Sequence, residues 1–357
     1  LVRATRLAQI IQLPADGRTQ LRIAGRPAVK WLLEVGAKVQ KPAKDAAFAV
    51  DGDHVRVVPA QAGVQLDTVR TADAVLRAAL RRTLRVARVV VEQKPAKLST
   101  AKVKTMGIVG LVSGFTTDFG GVPNRIHNVE LVSHLIDGTL IAPGATFSFN
   151  KTTGARTAAK GFLAAPVIIN GELQTALGGG VCQVSTTVFN AAFDAGLNIT
   201  ARTNHALYIS HYPQGRDATV NYPDTDLEFV NDTSHWLLLR TLVSSSSLTV
   251  DLYGTPTGRK VVSSTTPLVV SGKVKIKKTV DPTLRPGEQV IDDPGEPPMH
   301  TSVTRDVYAK DGKLLYHTVW YSSYRAAPEL MRVGPPKKKK PKPPATTTTQ
   351  TQTQPTG

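Results

Sequence analysis

Apolar residues recur at helical spacing in two segments of the chain. In TVRTADAVLRAALRR, the apolar positions from Val69 to Leu80 lie on one helix face, and arginines fill the opposite face. After the run GGGVCQVSTT, the apolar positions from Val184 to Ala195 keep the same spacing, and Gly196 follows as a helix stop. The pattern therefore predicts two helices, the second from about Cys182 to Ala195.

Other segments alternate with the period of a β-strand. WLLEVGAKV, AAFAVDGDHVRVVP and VARVVVE predict strands near the start of the chain, with a hairpin turn at Asp51-Gly52-Asp53. Near the end, KVKIKKTV and TSVTRDVYA alternate, and KDG can turn the chain into KLLYHTVWYSSY. The segment between them opens with GIVGLVSGFTTDF and closes with LTVDLYGT.

These elements predict a multidomain α+β protein. We expect a small α+β unit over 1–104, a central α+β domain over 105–255 with a cysteine at a helix N-terminus, and an all-β module over 256–333. A Ser/Thr/Pro/Gly-rich linker is expected from Thr255 to Thr266. The Lys/Pro/Thr-rich tail over 334–357 has too few apolar residues to offset its ordering entropy, so it is predicted to be disordered.

Charge is unevenly distributed over these regions. Residues 1–104 hold 20 basic and 8 acidic residues, a net charge of +12, whereas 105–333 hold 19 of each. Basic flanks suit anionic lipid or wall polymers, although a solvated arginine-rich surface gives the same composition. Nucleic acid is not predicted as a partner, because aromatic residues are only 6% and no nucleic-acid-binding signature is present.

The single cysteine, Cys182, excludes an intramolecular disulfide and a multi-cysteine zinc site. No apolar run reaches the roughly 18–20 residues that span a bilayer. The sequence starts at Leu1 rather than Met, so we expect that a signal peptide or membrane anchor precedes it.

Cys182 is a candidate nucleophile. It falls in the first turn of the predicted helix, where unpaired backbone N–H groups and the helix dipole stabilise a thiolate. His205 is the best candidate base, with His211 as a rival, and Asp217 twelve residues later can orient the histidine. The alternative is a buried, inert thiol, which is the commoner state of a free cysteine.

A metal site is the second chemical possibility. His127 and His134 lie seven residues apart with Glu130 between them, but the HExxH spacing is absent and no third ligand is evident. No metal and no cofactor are therefore predicted.

The central segment resembles the VanW family. The resemblance is carried by RIHNVELVSHLIDGTLIAPGATFSFN, TGARTAAKGFLAAPVIINGE, GGGVCQVSTTVFNAAFDAGLNITARTNHA and GRDATVNYPDTDLEFVND, and it covers about residues 122–254. The family is named from vancomycin-resistance gene clusters. The resemblance implies an L,D-transpeptidase that joins peptidoglycan stem peptides by 3–3 cross-links through a cysteine acyl-enzyme.

Both flanks resemble cell-wall modules. Residues 1–104 are similar to the peptidoglycan-binding domain that commonly precedes VanW domains, around FAVDGDHVRVVPAQAGVQLD. Residues 270–333 resemble a glycine-named wall-binding β-module through VDPTLRPGEQV and VTRDVYAKDGKLL.

The VanW pattern also marks candidate site residues. It falls on Arg125, Asn128, Phe147, Ser148, Gly154, Gly179, Gly180, Cys182, Gln183, Ser185, His205, Gly215, Asp217 and Ala218. The resemblance implies catalytic roles for Cys182, His205 and Asp217. The predicted substrate-binding residues are Arg125, Asn128, Ser148, Gly179, Gly180, Gln183, Ser185 and Arg202.

Each substrate-binding role has a structural alternative. Gln183 can polarise an acyl carbonyl or cap the helix, and Arg125 and Arg202 can hold a carboxylate of the substrate or a structural Asp. Asp226 or a backbone carbonyl can replace Asp217 as the group that orients the histidine.

The predicted function is therefore an extracytoplasmic cysteine L,D-transpeptidase in the cell wall or anchored in the membrane facing it. Its partners are peptidoglycan stem peptides and glycan, with anionic wall polymers as further candidates and no membrane contact beyond an N-terminal anchor. Two alternatives stay open, which are an L,D-carboxypeptidase that uses water as acceptor and a non-catalytic wall-binding scaffold.

Overall fold

The computed structural model describes residues 2–14, 20–169 and 172–336. The predicted disorder of the tail falls almost wholly on 337–357 and lies outside the described residues. Residues 2–104 contain α1 (Ala4–Ile10), β1 (Ile11–Gln12), β2 (Arg22–Ile23), α2 (Arg26–Val39), β3 (Ala47–Asp51), β4 (His54–Val58), β5 (Gly63–Leu66), α3 (Thr68–Ala79), β6 (Val91–Lys94) and α4 (Thr100–Lys104).

The periodic segments of this region fold largely as predicted. Helix α3 begins after Asp67, whose side chain accepts a hydrogen bond from the N–H of Arg70 as an N-cap. Strands β3 and β4 pair antiparallel across the predicted Asp51-Gly52-Asp53 turn. Both the helix and the hairpin are confirmed.

One strand prediction in this region is wrong, and another is confirmed only at its end. WLLEVGAKV lies inside helix α2, which starts at Arg26-Pro27 and buries Ala28 and Trp31 against Ile10. The proline in the first turn and the apolar stripe on one face stabilise the helix, and they outweigh the preference of the valines for a strand. In VARVVVE the strand begins only at Val91, and the residues before it have no regular structure.

The central region is built on a six-stranded sheet in the order β3-β4-β7-β15-β14-β8. Its elements are β7 (Gly110–Asp118), α5 (Pro123–Ile136), β8 (Thr139–Ile141), β9 (Thr146–Ser148), α6 (Phe149–Thr153), β10 (Ala164–Ile169), β11 (Glu172–Leu177), α7 (Val181–Asp194), β12 (Asn198–Ala201), β13 (Glu228–Val230), β14 (Leu237–Val243) and β15 (Ser247–Gly254). Strands β3 and β4 belong to the same sheet as β7, so this sheet extends across the predicted domain boundary at 104/105. The boundary itself stays a prediction.

Helix α7 lies at the centre of the main core. It packs on β7 and β15 and against α5, and small residues such as Ala191 and Ala192 allow close approach. Helix α5 was not predicted from the sequence. Its buried face mixes Val129 and Val132 with the polar Asn128 and Ser133, so its apolar periodicity is weak.

The C-terminal region is all β, as predicted. Its strands are β16 (Lys260–Thr265), β17 (Val269–Val270), β18 (Ile276–Val280), β19 (Gln289–Asp293), β20 (Met299–Tyr308), β21 (Leu314–Tyr324) and β22 (Glu329–Val333). The hairpin of β20 and β21 around the KDG turn is confirmed. The linker expected over Thr255–Thr266 is wrong in its second half, because β16 pairs with β20 along its full length.

The multidomain α+β fold class is thus confirmed. Within the ranges given above, no helix is both long enough and apolar enough to cross a membrane.

Candidate active site

Helix α7 begins one residue before the cysteine. Gly180 caps the helix in a left-handed conformation (φ +107°), which favours glycine. Gly179 lies against the backbone of Ala165 and Pro166 in strand β10, where a Cβ atom has no room. The two glycines therefore let the loop approach β10 closely and place Cys182 in the first turn of the helix, as predicted.

The Cys182 thiol is half-buried and faces His205. Its sulfur lies 3.4 Å from Thr219 Oγ1 and 3.6 Å from the carbonyl oxygen of Val220. Cys182 and His205 line the same cleft, and the imidazole is close enough to lower the pKa of the thiol. Because Asp217 occupies Nδ1 of that ring, Nε2 is the nitrogen left to meet the sulfur.

Asp217 orients His205 through two hydrogen bonds. One carboxylate oxygen, Oδ2, is 2.8 Å from the histidine Nδ1 and accepts the backbone N–H of His205 at 2.6 Å. The residue is therefore held by its main chain and its ring at once, and Cys182, His205 and Asp217 form a continuous chain of contacts. This is the arrangement of a nucleophile, base and orienting acid.

The second carboxylate oxygen of Asp217 is held by two further residues. Arg202 Nη2 lies 3.0 Å from Oδ1, and the hydroxyl of Tyr324 donates to the same oxygen at 2.8 Å. Arg202 also donates to the backbone oxygens of Asp217 and Gly215 and to Ser322 Oγ. The carboxylate is buried yet fully hydrogen-bonded, which fixes its position.

The contacts shift the pKa values of the pair in opposite directions. Burial raises the pKa of the Cys182 thiol, but hydrogen bonding to His205 and the charge of that ring outweigh burial and lower the pKa to about 7. Burial lowers the pKa of His205, but its hydrogen bonds with Asp217 and Cys182 outweigh burial and raise the pKa to about 9. The thiolate–imidazolium pair is therefore the main form between these two values.

A cleft of about 620 Å³ opens over the cysteine. Its lining residues are Arg125, Pro166, Val167, Ala176, Leu177, Gly180, Cys182, Gln183, His205, Ile209, His211, Tyr212, Thr219, Val220 and Asn221. A second cavity of about 280 Å³ meets it at Cys182 and is lined on its far side by Arg156 and Tyr222. The thiol is thus accessible from two directions.

Gln183 joins the groups on one side of the cleft. Its Oε1 accepts from Arg125 Nη2 at 3.2 Å and from the hydroxyl of Tyr212 at 3.0 Å, while its Nε2 donates to Thr117 Oγ1 at 2.7 Å. Arg125 Nη1 is buried without a hydrogen-bond partner among the described residues. Gln183 therefore positions Arg125, and one guanidinium nitrogen is left without an acceptor among the described residues.

The other predicted substrate-binding residues lie away from the cleft surface. Asn128 is buried and bonds to the backbone of Leu163 and Gly179, and Ser185 donates to the carbonyl oxygen of Ala218. Arg202 pairs with Asp217, which is the structural alternative that the sequence left open. The structure brings Arg125, Gly180 and Gln183 together at Cys182 and gives the remaining residues supporting contacts.

Asp226 and His211, the alternatives to Asp217 and His205, make different contacts. Ser148 donates to Asp226, which also accepts the backbone N–H of Asn150, so Asp226 holds the 148–150 turn and has no contact with His205. His211 lines the cleft, but its imidazole has no carboxylate partner among the described residues. Burial and the charge of Arg125 lower its pKa.

The two histidines of α5, which were the candidate metal ligands, contact backbone carbonyl oxygens. His127 Nε2 contacts the carbonyl oxygen of Gly161 at 2.9 Å, and His134 Nδ1 contacts that of Glu130 at 2.6 Å. No group of three or more His, Cys, Asp or Glu side chains with the arrangement of a metal site occurs in the ranges that the structure describes.

Sequence reasoning missed four residues of the site: Arg156, Tyr212, Thr219 and Tyr324. Tyr212 and Thr219 flank Asp217 in HYPQGRDATV, so their proximity to the motif was the available signal. Tyr324 lies 107 residues beyond Asp217 in another region of the fold, and no local pattern points to it.

Comparison with known families agrees with this geometry. Residues 124–253 match the family model described as "VanW like protein", and residues 4–87 match the one described as "Putative peptidoglycan binding domain". The VanW domain and the peptidoglycan-binding domain predicted from the sequence are confirmed. Together they indicate a function related to the cell wall and a cell-wall-associated location.

Two relatives match the VanW region. "Uncharacterized protein YoaR" of Bacillus subtilis (strain 168) is 42% identical over 130 residues, which cover 36% of this chain and 43% of that protein. "Vancomycin B-type resistance protein VanW" of Enterococcus faecalis (strain ATCC 700802 / V583) is 32% identical over 117 residues, which cover 31% and 42%. The chain thus spans less than half the length of these relatives.

Two solved structures are similar to a smaller part of the chain. "Crystal structure of HP0197-G5" matches 21% of this chain and 99% of its own at 18% identity, with a TM-score of 0.12. "IgA1 Protease G5 domain structure" matches 22% and 94% at 11% identity, with a TM-score of 0.14.

Proposed function

We propose that this protein is a cysteine L,D-transpeptidase that cross-links peptidoglycan stem peptides outside the cytoplasm. The observation that carries the proposal is the placement of Cys182 beside His205, whose ring is held by Asp217, beneath an open cleft. The VanW and peptidoglycan-binding matches support peptidoglycan as the substrate class.

The reaction has two steps. The Cys182 thiolate attacks the carbonyl carbon of the third stem residue, meso-diaminopimelate or lysine, and a thioester forms as the C–N bond to the terminal D-alanine breaks. His205 gives its proton to the departing amine. A side-chain amine of a second stem peptide then attacks the thioester, its proton passes to His205, and the thiolate is released.

Backbone N–H groups are the best donors to the oxyanion of each step. The start of α7 at Gly180 and Cys182 offers N–H groups and the positive end of the helix dipole beside the thiol. Gln183 is a weaker candidate, because its amide nitrogen already donates to Thr117 and to the backbone oxygen of Asp118.

The two alternatives make different predictions about the thiol. An L,D-carboxypeptidase forms the same thioester and passes it to water, so it differs only in the product. A non-catalytic scaffold requires an unreactive cysteine, and the access of Cys182 to the cleft together with its lowered pKa favours the catalytic reading.

Mass spectrometry of the intact protein tests the proposal. After incubation with disaccharide-tetrapeptide, we expect an adduct on Cys182 with the mass of the donor less D-alanine. Cys182→Ala gives no adduct and is the control. A wild-type protein that forms no adduct, and whose thiol also resists iodoacetamide at pH 7, would refute the proposal and favour the scaffold.

Product analysis with two stem peptides separates the two enzymes. A 3–3 cross-linked dimer identifies the transpeptidase, and a tripeptide alone identifies the carboxypeptidase.

A further inference from the structure

The smaller cavity beside Cys182 contains a cation that the catalytic contacts do not use. Arg156 lines this cavity together with Tyr222, and its guanidinium carbon lies 5.8 Å from the ring centres of both Phe149 and Tyr222. Both distances fall within the range of a cation–π contact, so the two rings restrict the position of the guanidinium group. The group is therefore held in place before any ligand arrives.

The hydrogen-bonding capacity of Arg156 is only partly used. Its Nη1 donates to the carbonyl oxygen of Gly154 at 2.8 Å, whereas its Nη2 is buried and has no partner among the described residues. A buried, unpaired donor on a cation costs free energy unless a ligand completes it. Arg156 can therefore donate a hydrogen bond to an acceptor that a ligand would supply.

Among the described side chains, no carboxylate accepts a hydrogen bond from the free nitrogen of Arg156. Burial lowers the pKa of Arg156, and the charge of the nearby Asp226 opposes that shift only in part. The oxygens of Asp226 accept from Ser148 and from the N–H groups of Asn150 and Leu227. The negative charge of Cys182 acts on Arg156 in the same direction. The guanidinium group therefore lies within electrostatic reach of the reacting sulfur.

The two cavities differ in volume, and this difference indicates which part of a peptide each one can hold. The larger one, at about 620 Å³, has room for several residues of a stem peptide, whereas the smaller one, at about 280 Å³, has room for about one amino acid. They share Val167, Leu177, Cys182, Val220 and Asn221. A peptide that crosses the sulfur thus has a single residue on one side of the attacked carbonyl.

We propose that the smaller cavity is the subsite for the terminal amino acid of the acyl donor, and that Arg156 binds its free carboxylate. This assignment rests on the proposed function and names the group by which the donor is recognised. The departing D-alanine and the amino-acid end of an incoming diaminopimelate side chain both carry an amine next to a carboxylate. One arginine beside the thiol therefore serves both the leaving group and the acceptor.

The test compares two donors that differ only at the terminal group. The rate of acyl-enzyme formation on Cys182 is measured with disaccharide-tetrapeptide and with the same compound carrying a C-terminal carboxamide. The wild-type protein should prefer the free acid by about 10- to 100-fold, the range for a hydrogen bond to a charged group. Arg156→Gln should remove most of this preference by slowing the free acid much more than the carboxamide.

Two variants serve as controls. Arg125→Gln removes the incompletely paired guanidinium group of the larger cavity and should slow both donors equally. Arg156→Lys keeps the charge but loses the planar donor pair, so it should retain part of the preference. Unchanged iodoacetamide labelling of Cys182 in each variant confirms that the thiol and His205 are intact.

The outcomes separate this assignment from the proposed function. No adduct with either donor in the wild-type protein refutes the proposed function. An adduct that forms equally fast with both donors leaves the transpeptidase standing and overturns the role of Arg156. A preference that Arg125→Gln abolishes and Arg156→Gln keeps also overturns it, because the carboxylate then lies in the larger cavity.

Discussion

The two flanks of the VanW domain both resemble cell-wall modules in sequence, but they are attached to it in different ways. Strand β4 of the N-terminal unit meets the edge of β7, and Phe48, Val50 and Val55 contact a small apolar cluster around Met106 and Tyr253. None of these residues lines the cleft. The N-terminal unit is therefore docked on the sheet, remote from the chemistry.

The C-terminal hairpin instead enters the core and the site. Val303 and Trp320 join the main apolar cluster, and Trp320 packs its ring against Phe189 and Phe193 of α7. The side chain of Arg305 is buried and donates to the carbonyl oxygens at the end of the same helix. The comparison teaches that a flanking module can be a structural part of an active site.

The largest expected effect comes from the buried anchor of the C-terminal hairpin. Arg305 Nη1 and Nη2 donate to the oxygens of Leu197 and Phe193 at 3.0 and 2.8 Å. Arg305→Met leaves both oxygens unpaired in the core, so we expect the free energy of unfolding to fall by about 2–5 kcal/mol. Urea unfolding measures it, and a loss under 0.5 kcal/mol, the typical size of a surface change, would contradict the anchor role.

The reactivity of Cys182 should follow pH through two ionisations. The thiolate forms as pH rises through about 7, and His205 loses its proton as pH rises through about 9. Alkylation by iodoacetamide should fall about 50-fold from pH 7 to pH 5, whereas transpeptidation should rise through the first pKa and decline above the second. An alkylation midpoint near pH 8.5, the value of a free cysteine, would show that His205 does not lower the thiol pKa.

A matched pair of tyrosines distinguishes the two flanks directly. The hydroxyl of Tyr324 donates to Asp217 from the C-terminal hairpin, and that of Tyr253 donates to the Gly52 carbonyl oxygen of the N-terminal unit at 2.9 Å. Tyr324→Phe should lower the acylation rate of Cys182 about tenfold, because the Asp217–His205 contact loses a fixing hydrogen bond.

Tyr253→Phe is the control and should leave acylation unchanged, since its lost hydrogen bond affects only the docking of the N-terminal unit. The pH profile of Tyr324→Phe adds a readout that overall destabilisation does not move, because a disturbed His205 shifts the upper pKa. Equal rates in the two variants would remove the distinction between the flanks.

The smallest expected effect concerns surface charge on the N-terminal unit. With its net charge of +12, this unit should bind purified sacculi more weakly as salt rises, because salt screens exposed charges. Replacing the exposed Arg81 and Arg82 by Glu should weaken binding a few-fold at low salt and leave Cys182 labelling unchanged. Binding that is insensitive to salt would argue for uncharged contacts with the glycan.

The sequence predicted the parts of the site that are local. Cys182 at a helix start and His205 near Asp217 follow from spacing and motif, and the hairpins followed from alternation. Tyr324 and Arg305 escaped prediction because their contacts join segments about 110 residues apart, and such pairing leaves no periodic trace. Helix α2 escaped because Val35 and Gly36 are poor helix formers, whereas burial of Trp31 on the apolar face stabilises the helix.

Helix α7 has a consequence for how the protein is made. Its first turn carries Cys182, while Arg305 from a later part of the chain donates to the carbonyl oxygen of Phe193 in its last turn and to that of Leu197 just beyond it. A nascent chain that ends before Leu314 already contains the cysteine, the histidine and the aspartate, yet it lacks the strand that delivers Ser322 and Tyr324 to them. The hydrogen bonds that fix Arg202 and Asp217 are therefore completed only after the strand Leu314–Tyr324 has been synthesised.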